Sequence, residues 1–166
     1  MEERLGGEVE VLINAEPNAV YDLISDVTRT GEWSPECHRC KWLDGADGAA
    51  LGARFRGWNR SGFVRWSRLV EVESAEPGRE FQFRTLPDWL NKDSTTWRYQ
   101  LAADGAATRL THSYQINAMP KFPVSVIFRL FLKHHADMRP HIAESLGRIK
   151  TLAEAEAGIT SRREAT

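Results

Sequence analysis

The sequence predicts an α+β fold in which one curved antiparallel sheet wraps around a C-terminal helix. Three observations support this prediction. An alternating segment at residues 8–14 leads into a short helix that begins at Pro17, about six further strand segments follow between turn signals, and residues 123 to about 157 carry one long amphipathic pattern. A single strand, short helices, a run of strands and a terminal helix together indicate one sheet with a helix packed against it.

The first strand and the helices after it are predicted from alternation and from two prolines. Val9, Val11 and Ile13 alternate with mostly polar residues, which is typical of a half-buried strand. Pro17 suits the first turn of a helix, where its missing N–H loses no hydrogen bond. Apolar residues recur at helical spacing over 20–27, and polar residues at 26–31 end this helix, with a second short helical turn there. The corner at 33–35 follows, because Pro35 disfavours helical geometry for the residue before it.

Six further strands are predicted at residues 38–44, 52–59, 63–74, 79–86, 94–102 and 108–117. Glycine-, asparagine- and aspartate-rich turns separate them, and consecutive hairpins indicate an antiparallel meander. One connection is longer. Residues 86–93 carry Trp89 and Leu90 near their tip, and we interpret this apolar loop as a lid.

The C-terminal segment is predicted to be one long amphipathic helix from residue 123 to about 157. Its apolar face recurs at steps of three and four and comprises Val124, Phe128, Phe131, His135, Met138, Ile142, Leu146, Ile149 and Leu152. Pro140 removes one helical hydrogen bond, which predicts a kink near residues 137–140. The polar residues 158–166 are expected to fray.

Length and charge limit the class of protein. The 166 residues suit one domain, predicted as residues 1–166 with a core of about 8–155. The net charge is −1 without a dense Lys/Arg run, so we expect no nucleic-acid partner. The N-terminus lacks the pattern of a signal peptide, and the longest apolar stretch is too short to span a bilayer. We therefore expect a cytoplasmic protein without stable membrane insertion, and the sequence leaves both a monomer and a dimer open.

Several segments resemble the START/Bet v 1-like superfamily, and specifically its polyketide cyclase/dehydrase branch. They are Ala-Glu-Pro-Asn-Ala-Val-Tyr-Asp-Leu-Ile-Ser-Asp-Val within 9–27, Glu-Trp-Ser-Pro-Glu at 32–36, Gly-Ala-Arg-Phe-Arg-Gly-Trp-Asn at 52–59, Glu-Pro-Gly-Arg-Glu-Phe-Gln-Phe at 76–83 and Thr-Trp-Arg-Tyr-Gln-Leu at 96–101. The resemblance implies a helix-grip fold, with a seven-stranded sheet around the long helix, two short helices after the first strand, and an apolar cavity between sheet and helix. The superfamily includes carriers, receptors, quinone-binding proteins and aromatase/cyclases, so the fold does not fix the chemistry.

Strand alternation identifies the side chains expected to face this cavity. The predicted ligand-binding residues are Trp66, Phe81, Phe83, Trp97, Tyr99, His112, Tyr114, Phe128, Phe131, His135 and Met138. The expected gate comprises the segments 33–35, 86–93 and 118–122, with Trp33, Trp89, Leu90, Met119 and Phe122 as its apolar residues.

Three polar members of this set are candidate catalytic residues. His112 and His135 titrate near neutral pH and Tyr114 can donate a hydrogen bond to a carbonyl, so they are the groups that would move protons in an enzyme. A cavity-lining or core role is the simpler interpretation, because a few polar groups in an apolar wall are usual for ligand pockets.

No metal site and no cofactor are expected. Cys37 and Cys40 have the spacing of half a zinc site, but no second pair exists, and side chains three apart on a strand point to opposite faces. On a single helix, His134 and His141 would lie two turns apart, too far to share one ion without other ligands.

A cluster of arginines in the middle strands is interpreted as a solvated outer face interspersed with Glu71 and Glu73. Its members are Arg54, Arg56, Arg60, Arg65 and Arg68.

Our leading hypothesis is a carrier or sensor, without catalysis, that binds a small apolar molecule in the cavity. The alternative is a polyketide aromatase/cyclase- or dehydratase-like enzyme that folds a flexible chain in the same cavity. A third possibility is a quinone-binding or lipid-transfer protein, for which residues 35–37 after the first helices are a faint indication.

Overall fold

The computed structural model describes residues 5–165. The strands are β1 (Gly6–Ile13), β2 (Cys37–Trp42), β3 (Arg54–Ser61), β4 (Val64–Glu76), β5 (Glu80–Thr85), β6 (Ser94–Asp104) and β7 (Ala107–Ala118). The helices are α1 (Pro17–Ser25), α2 (Val124–Phe131) and α3 (Arg139–Glu164), with 3-10 helices at Val27–Glu32 and Lys133–Ala136. The predicted α+β helix-grip fold is confirmed. Residues 1–4 and 166 of the predicted 1–166 domain lie outside the described part.

The seven strands form one antiparallel sheet in the order β1-β7-β6-β5-β4-β3-β2. The first strand, β1, pairs with the last strand, β7. The two edges of this sheet are therefore β1 and β2. Register shifts interrupt the ladder at 37/39, 72/74 and 94/95. Such irregularities bend a strand and increase its twist, which helps the sheet to curve.

The core lies between the concave face of the sheet and α3. Ile142, Leu146 and Ile149 on α3 are all at most 3% exposed. Side chains from the sheet and α1 complete the core, including Ile13, Ile24, Phe81 and Leu110. The hydroxyl of buried Thr108 donates to the carbonyl of Ala15 at 2.7 Å, which fixes the turn before α1 to β7.

The predicted continuous C-terminal helix is wrong in its first part. The chain leaves α2 at Leu132, forms a 3-10 turn, and begins α3 at Arg139. Pro140 therefore occupies the first turn of α3, where it loses no helical hydrogen bond, and the break replaces the expected kink. At the C-terminal end, α3 continues to Glu164, so residues 158–164 of the predicted polar tail are helical. No helix in the described part of the chain has the length and hydropathy needed to cross a membrane.

The apolar residues of α2 are less buried than the prediction of a core-facing apolar face required. Val124 is its only buried residue among those described, and Phe131 is 50% exposed. The Phe131 ring lies edge-on to Phe63, with centroids 5.0 Å apart, in the β3–β4 hairpin. The α2 segment thus lies beside the rim of the sheet instead of in the core.

Candidate functional site

A cavity of about 790 Å³ lies between the concave face of the sheet and the α2–α3 region. Its wall is mainly apolar and is formed by side chains from β2 to β7, from both 3-10 helices and from α1, α2 and α3. The apolar part of the wall includes Phe55, Val70, Phe81, Phe83, Trp97, Ile116, Phe128, Met138 and Ile142.

Most of the expected ligand-binding residues line this cavity. They are Trp66, Phe81, Phe83, Trp97, His112, Phe128, His135 and Met138. Tyr99 and Tyr114 are buried but do not reach the cavity wall. Tyr99 stacks behind His112 with ring centroids 3.9 Å apart, and the Tyr114 hydroxyl accepts a hydrogen bond from the Met138 amide at 3.3 Å. The remaining member of the set, Phe131, lies at the rim as described above.

The residues expected at the gate divide into three groups. Met119 is 56% exposed and lines the cavity, so it lies at the mouth. Trp89, Leu90 and Phe122 are exposed and do not line the cavity in this conformation. Trp33 is 2% exposed and belongs to the core. Trp33 is therefore packed in the core, whereas Ser34 and Pro35 of the same corner line the cavity.

Arg68 is the clearest correction to the sequence-based interpretation. Instead of lying on a solvated outer face, it is 6% exposed and lines the cavity. Its guanidinium donates to the Asp93 carboxylate at 2.5 Å and to the carbonyls of Asp93 and Leu86 at 2.8 and 3.2 Å. Since Leu86 and Asp93 are the two ends of the predicted lid, Arg68 fastens both ends of that loop to β4.

His112 is a buried imidazole in the cavity wall. Neither of its ring nitrogens has a hydrogen-bond partner among the described residues. Burial lowers the pKa of His112 to about 3, so the ring is neutral at physiological pH. A neutral imidazole offers one donor and one acceptor to a ligand, but it cannot supply the proton of an imidazolium.

Cys37 and Cys40 face the cavity together, which corrects the prediction of opposite faces. The register shift between residues 37 and 39 adds one residue to this stretch of β2 and changes the side on which Cys37 lies. Their Sγ atoms are 3.3 Å apart and both residues line the cavity. The hydrogen bond with Cys40 and burial raise the pKa of the Cys37 thiol above its ordinary value.

Glu36 is placed in the cavity by the turn at residues 33–37. The Ser34 hydroxyl accepts hydrogen bonds from the amides of Glu36 and Cys37 at 3.3 and 2.9 Å, which turns the chain into β2. The Glu36 carboxylate then contacts Nε2 of His134 and lies 3.0 Å from Nε2 of His135. Burial opposes its ionisation, but the hydrogen bonds to His135 and His134 outweigh this and hold the pKa of Glu36 below its usual value.

His134 and His141 are neighbours, so the helical argument that separated them is wrong. Seven residues of one continuous helix would span about 10 Å along its axis. His134 instead lies on the second 3-10 helix and His141 in the first turn of α3, and their ring centroids are 4.5 Å apart. The break between α2 and α3 thus gathers three histidines around Glu36.

The fold agrees with comparisons to known proteins. A model of the family described as "Polyketide cyclase / dehydrase and lipid transport" matches residues 6–154. The chain belongs to this family. The predicted superfamily and branch are thereby confirmed. No curated protein matches this chain significantly.

Three solved structures illustrate how this family member relates to its neighbours. A Polyketide_cyc-like protein from Corynebacterium glutamicum is 32% identical, with 94% of this chain and 95% of that chain covered and a TM-score of 0.61. The Zhui aromatase/cyclase from Streptomyces sp. R1128 is 14% identical, with 90% and 93% covered and a TM-score of 0.70. A START superfamily protein from Mycobacterium smegmatis is 17% identical, with 89% and 98% covered and a TM-score of 0.66. The last two show a shared fold.

Sequence reasoning identified His112 and His135 but missed three other polar residues of this family member's cavity, Arg68, Asp93 and Glu36. Arg68 had a signal, because it shares the strand register of Trp66 and Val70, two cavity-facing residues. Asp93 and Glu36 had none, since both lie in irregular segments where alternation does not indicate direction.

Proposed function

We propose that the protein binds a small hydrophobic ligand in the cavity between sheet and helix, as a carrier or sensor. The observation that supports this most strongly is the cavity itself, whose 790 Å³ falls within the ~300–1,000 Å³ range of small-molecule sites. Burial of apolar ligand surface would drive binding, at about 25 cal/mol per Å² before the costs of association.

The polar atoms of the wall suggest a ligand with an apolar body and a polar group. Nε of Arg68, Oδ1 of Asp93 and both nitrogens of His112 are buried without partners among the described residues. Unpaired buried polar atoms are costly, and a hydroxyl or carbonyl on the ligand would satisfy them. A lipid, a polyketide-like molecule or an aromatic compound with such a group fits this chemistry.

Entry is proposed at the mouth formed by residues 118–122 and the 86–93 loop. Met119 and Pro120 line the cavity there, and Trp89, Leu90 and Phe122 are exposed apolar residues nearby in the chain. Exposed aromatic side chains on loops are suited to contact an apolar ligand as it enters.

Two measurements test the proposed binding. Native mass spectrometry of protein purified from its own host is expected to show a co-purifying small molecule. Titration with the neutral apolar probe N-phenyl-1-naphthylamine is expected to give saturable fluorescence at one probe per chain. Ala118→Trp narrows the mouth and should weaken probe binding, whereas Gln115→Trp, on the exposed side of β7, should not. Absence of saturable binding, or equal binding by both variants, would contradict the proposal.

An aromatase/cyclase- or dehydratase-like enzyme is the second candidate function. The observation in its favour is that titratable groups converge inside the cavity, with Glu36 in hydrogen-bond contact with His134 and His135. A carboxylate paired with an imidazole is a general acid–base arrangement. Of the catalytic candidates from the sequence, His135 belongs to this group, whereas His112 and Tyr114 do not. The aromatase/cyclase among the structural neighbours is consistent with this alternative through its fold alone.

The enzyme hypothesis requires turnover that depends on Glu36. Incubation with a poly-β-ketone is expected to give a cyclised or dehydrated product, and Glu36→Gln should abolish this while leaving N-phenyl-1-naphthylamine binding intact. If Glu36→Gln and wild type give the same product at the same rate, the group of Glu36, His134 and His135 has no catalytic role. Binding of a quinone or a membrane lipid without conversion would instead support the third possibility, a quinone-binding or lipid-transfer protein.

A further inference from the structure

We propose that Glu36, His134 and His141 form a binding site for one divalent transition-metal ion of the zinc class. The site lies in the cavity wall, where the turn before β2 meets the break between α2 and α3. This assignment does not depend on whether the cavity carries a ligand or a substrate, and it replaces the sequence-based expectation of no metal.

The geometry brings three ligand atoms together from three separate segments. One atom of each residue, a carboxylate oxygen and two imidazole nitrogens, lies within 4.8 Å of the other two. A tetrahedral ion with bonds of about 2.0–2.1 Å needs ligand atoms about 3.3 Å apart, which small side-chain rotations would supply. The backbone is already in place, because the turn at Ser34 fixes Glu36 and the first turn of α3 fixes His141.

An independent observation indicates that one ligand lacks a partner. Nδ1 of His141 is buried and has no hydrogen-bond partner among the described residues. The rings of His134 and His141 lie 4.5 Å apart at an angle of 34°. A cation between these two partly buried imidazoles and the carboxylate would stabilise the cluster. The ion would neutralise the charge of Glu36 and would be coordinated by the lone pairs of the imidazole nitrogens.

The donor set indicates the class of ion. Two imidazoles and one carboxylate are ligands of zinc and of related borderline divalent ions, whereas Mg²⁺ and Ca²⁺ prefer all-oxygen sites. Three protein ligands leave a fourth position, and all three residues line the cavity, so this position faces the space where a ligand would lie. An ion there could coordinate an oxygen of a bound molecule.

His135 is assigned as a positioning residue for Glu36. Its Nε2 lies 3.0 and 3.1 Å from the two oxygens of the carboxylate, and its ring packs edge-on against Trp66 and Phe128. A hydrogen bond of this kind orients a carboxylate ligand, and loss of such outer partners costs about 10–100-fold in metal affinity.

Metal binding is tested on the full chain with zinc chloride and with Co²⁺. Isothermal titration calorimetry with a non-chelating reductant is expected to give one Zn²⁺ per chain. Co²⁺ should give a tetrahedral visible spectrum without the near-ultraviolet charge-transfer band of a thiolate. His141→Gln and Glu36→Gln should each lower the affinity by more than about 100-fold, and His135→Gln by about 10-fold. His38→Gln, at an exposed histidine of β2, is the matched control and should bind as wild type.

The main alternative is that the ion binds to the neighbouring thiols of Cys37 and Cys40 instead. If the double variant Cys37→Ser/Cys40→Ser loses the ion while His141→Gln retains it, or if a thiolate band appears, the ion belongs to the cysteine pair and the proposal is overturned. Equal affinity of wild type, His141→Gln and Glu36→Gln overturns it as well. Circular dichroism melting of each variant in the absence of metal separates loss of the site from loss of the fold.

Discussion

At the scale of single residues, the cavity combines an apolar wall with a few buried polar groups that are held in different ways. Arg68 is paired with Asp93 and holds the ends of the 86–93 loop. His112 is stacked on Tyr99 but has unpaired nitrogens. Glu36 is surrounded by histidines. We expect these groups to respond differently to substitution, because the first is a buried ion pair, the second a buried neutral base and the third a carboxylate among histidines.

Substitution of Arg68 by Met is expected to destabilise the fold by roughly 3–5 kcal/mol, because it leaves the buried Asp93 carboxylate without its partner. The free energy of unfolding can be measured by urea denaturation. Adding Asp93→Asn to Arg68→Met should recover part of the loss, since the unpaired charge is removed.

Arg54 provides the control for Arg68. Its side chain is 47% exposed and pairs with Glu71 at 2.9 Å on the surface, so Arg54→Met should cost only about 0–1 kcal/mol. Similar losses for Arg54→Met and Arg68→Met would mean that burial does not distinguish the two pairs. Protease cleavage within residues 86–93 should increase in Arg68→Met alone.

Because His112 is buried, we expect the free energy of unfolding to depend on pH. Burial lowers its pKa from 6.5 to about 3 in the folded protein, so between these values the unfolded chain binds a proton that the folded chain does not. Stability from this residue is therefore fully present above pH 6.5 and decreases as the pH falls toward 3, by at most about 1.4 kcal/mol per pH unit.

The variant His112→Phe isolates this effect, because a phenyl ring can keep the stack with Tyr99 and does not titrate. Urea denaturation of both proteins from pH 7 to pH 4.5 should show the wild type losing stability faster than the variant. A difference between the two that stays constant over this range would show that His112 is protonated in the folded state as readily as in the unfolded state.

At the scale of the elements, two interruptions of regular structure bring the site together. The register shift in β2 places Cys37 and Cys40 side by side, and the break after α2 places His134 next to His141. The first 3-10 helix must also lie close to β2, since Gly31 touches the backbone of His38. A Cβ at this glycine would be 2.5 Å from the His38 carbonyl oxygen, too close for any side chain.

Gly31→Ala is therefore expected to destabilise the protein by about 1–3 kcal/mol, as overpacking against backbone forces the two elements apart. Gly147→Ala is the matched control, because α3 leaves open space around that position and alanine favours helix by up to about 1 kcal/mol. Thermal melts of both variants should move in opposite directions. A stabilised Gly31→Ala would show that the 3-10 helix does not pack against β2 in this way.

At the scale of the whole molecule, the cavity lowers stability, and the proposed ligand binding would be what it serves. A sheet that closed fully on α3 would bury more surface, whereas this one keeps a cavity of about 790 Å³. Residues that line the cavity without filling it therefore lower stability, and they leave the volume that the proposed ligand would occupy.

Ser145, a buried residue of α3 in the cavity wall, allows this compromise to be measured. Ser145→Leu is expected to raise the free energy of unfolding by about 1 kcal/mol and to weaken binding of N-phenyl-1-naphthylamine. Ser161→Leu, at an exposed position of the same helix, should change neither by a comparable amount. Unchanged probe affinity in Ser145→Leu would place the binding site outside this cavity.

The sequence by itself determined the order of the strands and the position of α1, but not the division of the C-terminal segment into α2 and α3. Alternation at Val9, Val11 and Ile13, the proline at the start of α1 and the turns between strands are local signals, since each depends on a few neighbouring residues. The cavity-facing sides of β5, β6 and β7 followed from the same period of two, and so did the apolar wall.

Only the tertiary structure decided which polar residues meet. Glu36 and His134 are 98 residues apart in the chain, and no local pattern records that they touch. The break between α2 and α3 and the register shift in β2 interrupt the regular periods of 3.6 and 2, which tertiary packing can override. The architecture is thus encoded locally, whereas the chemistry of the cavity depends on contacts that exist only in the folded chain.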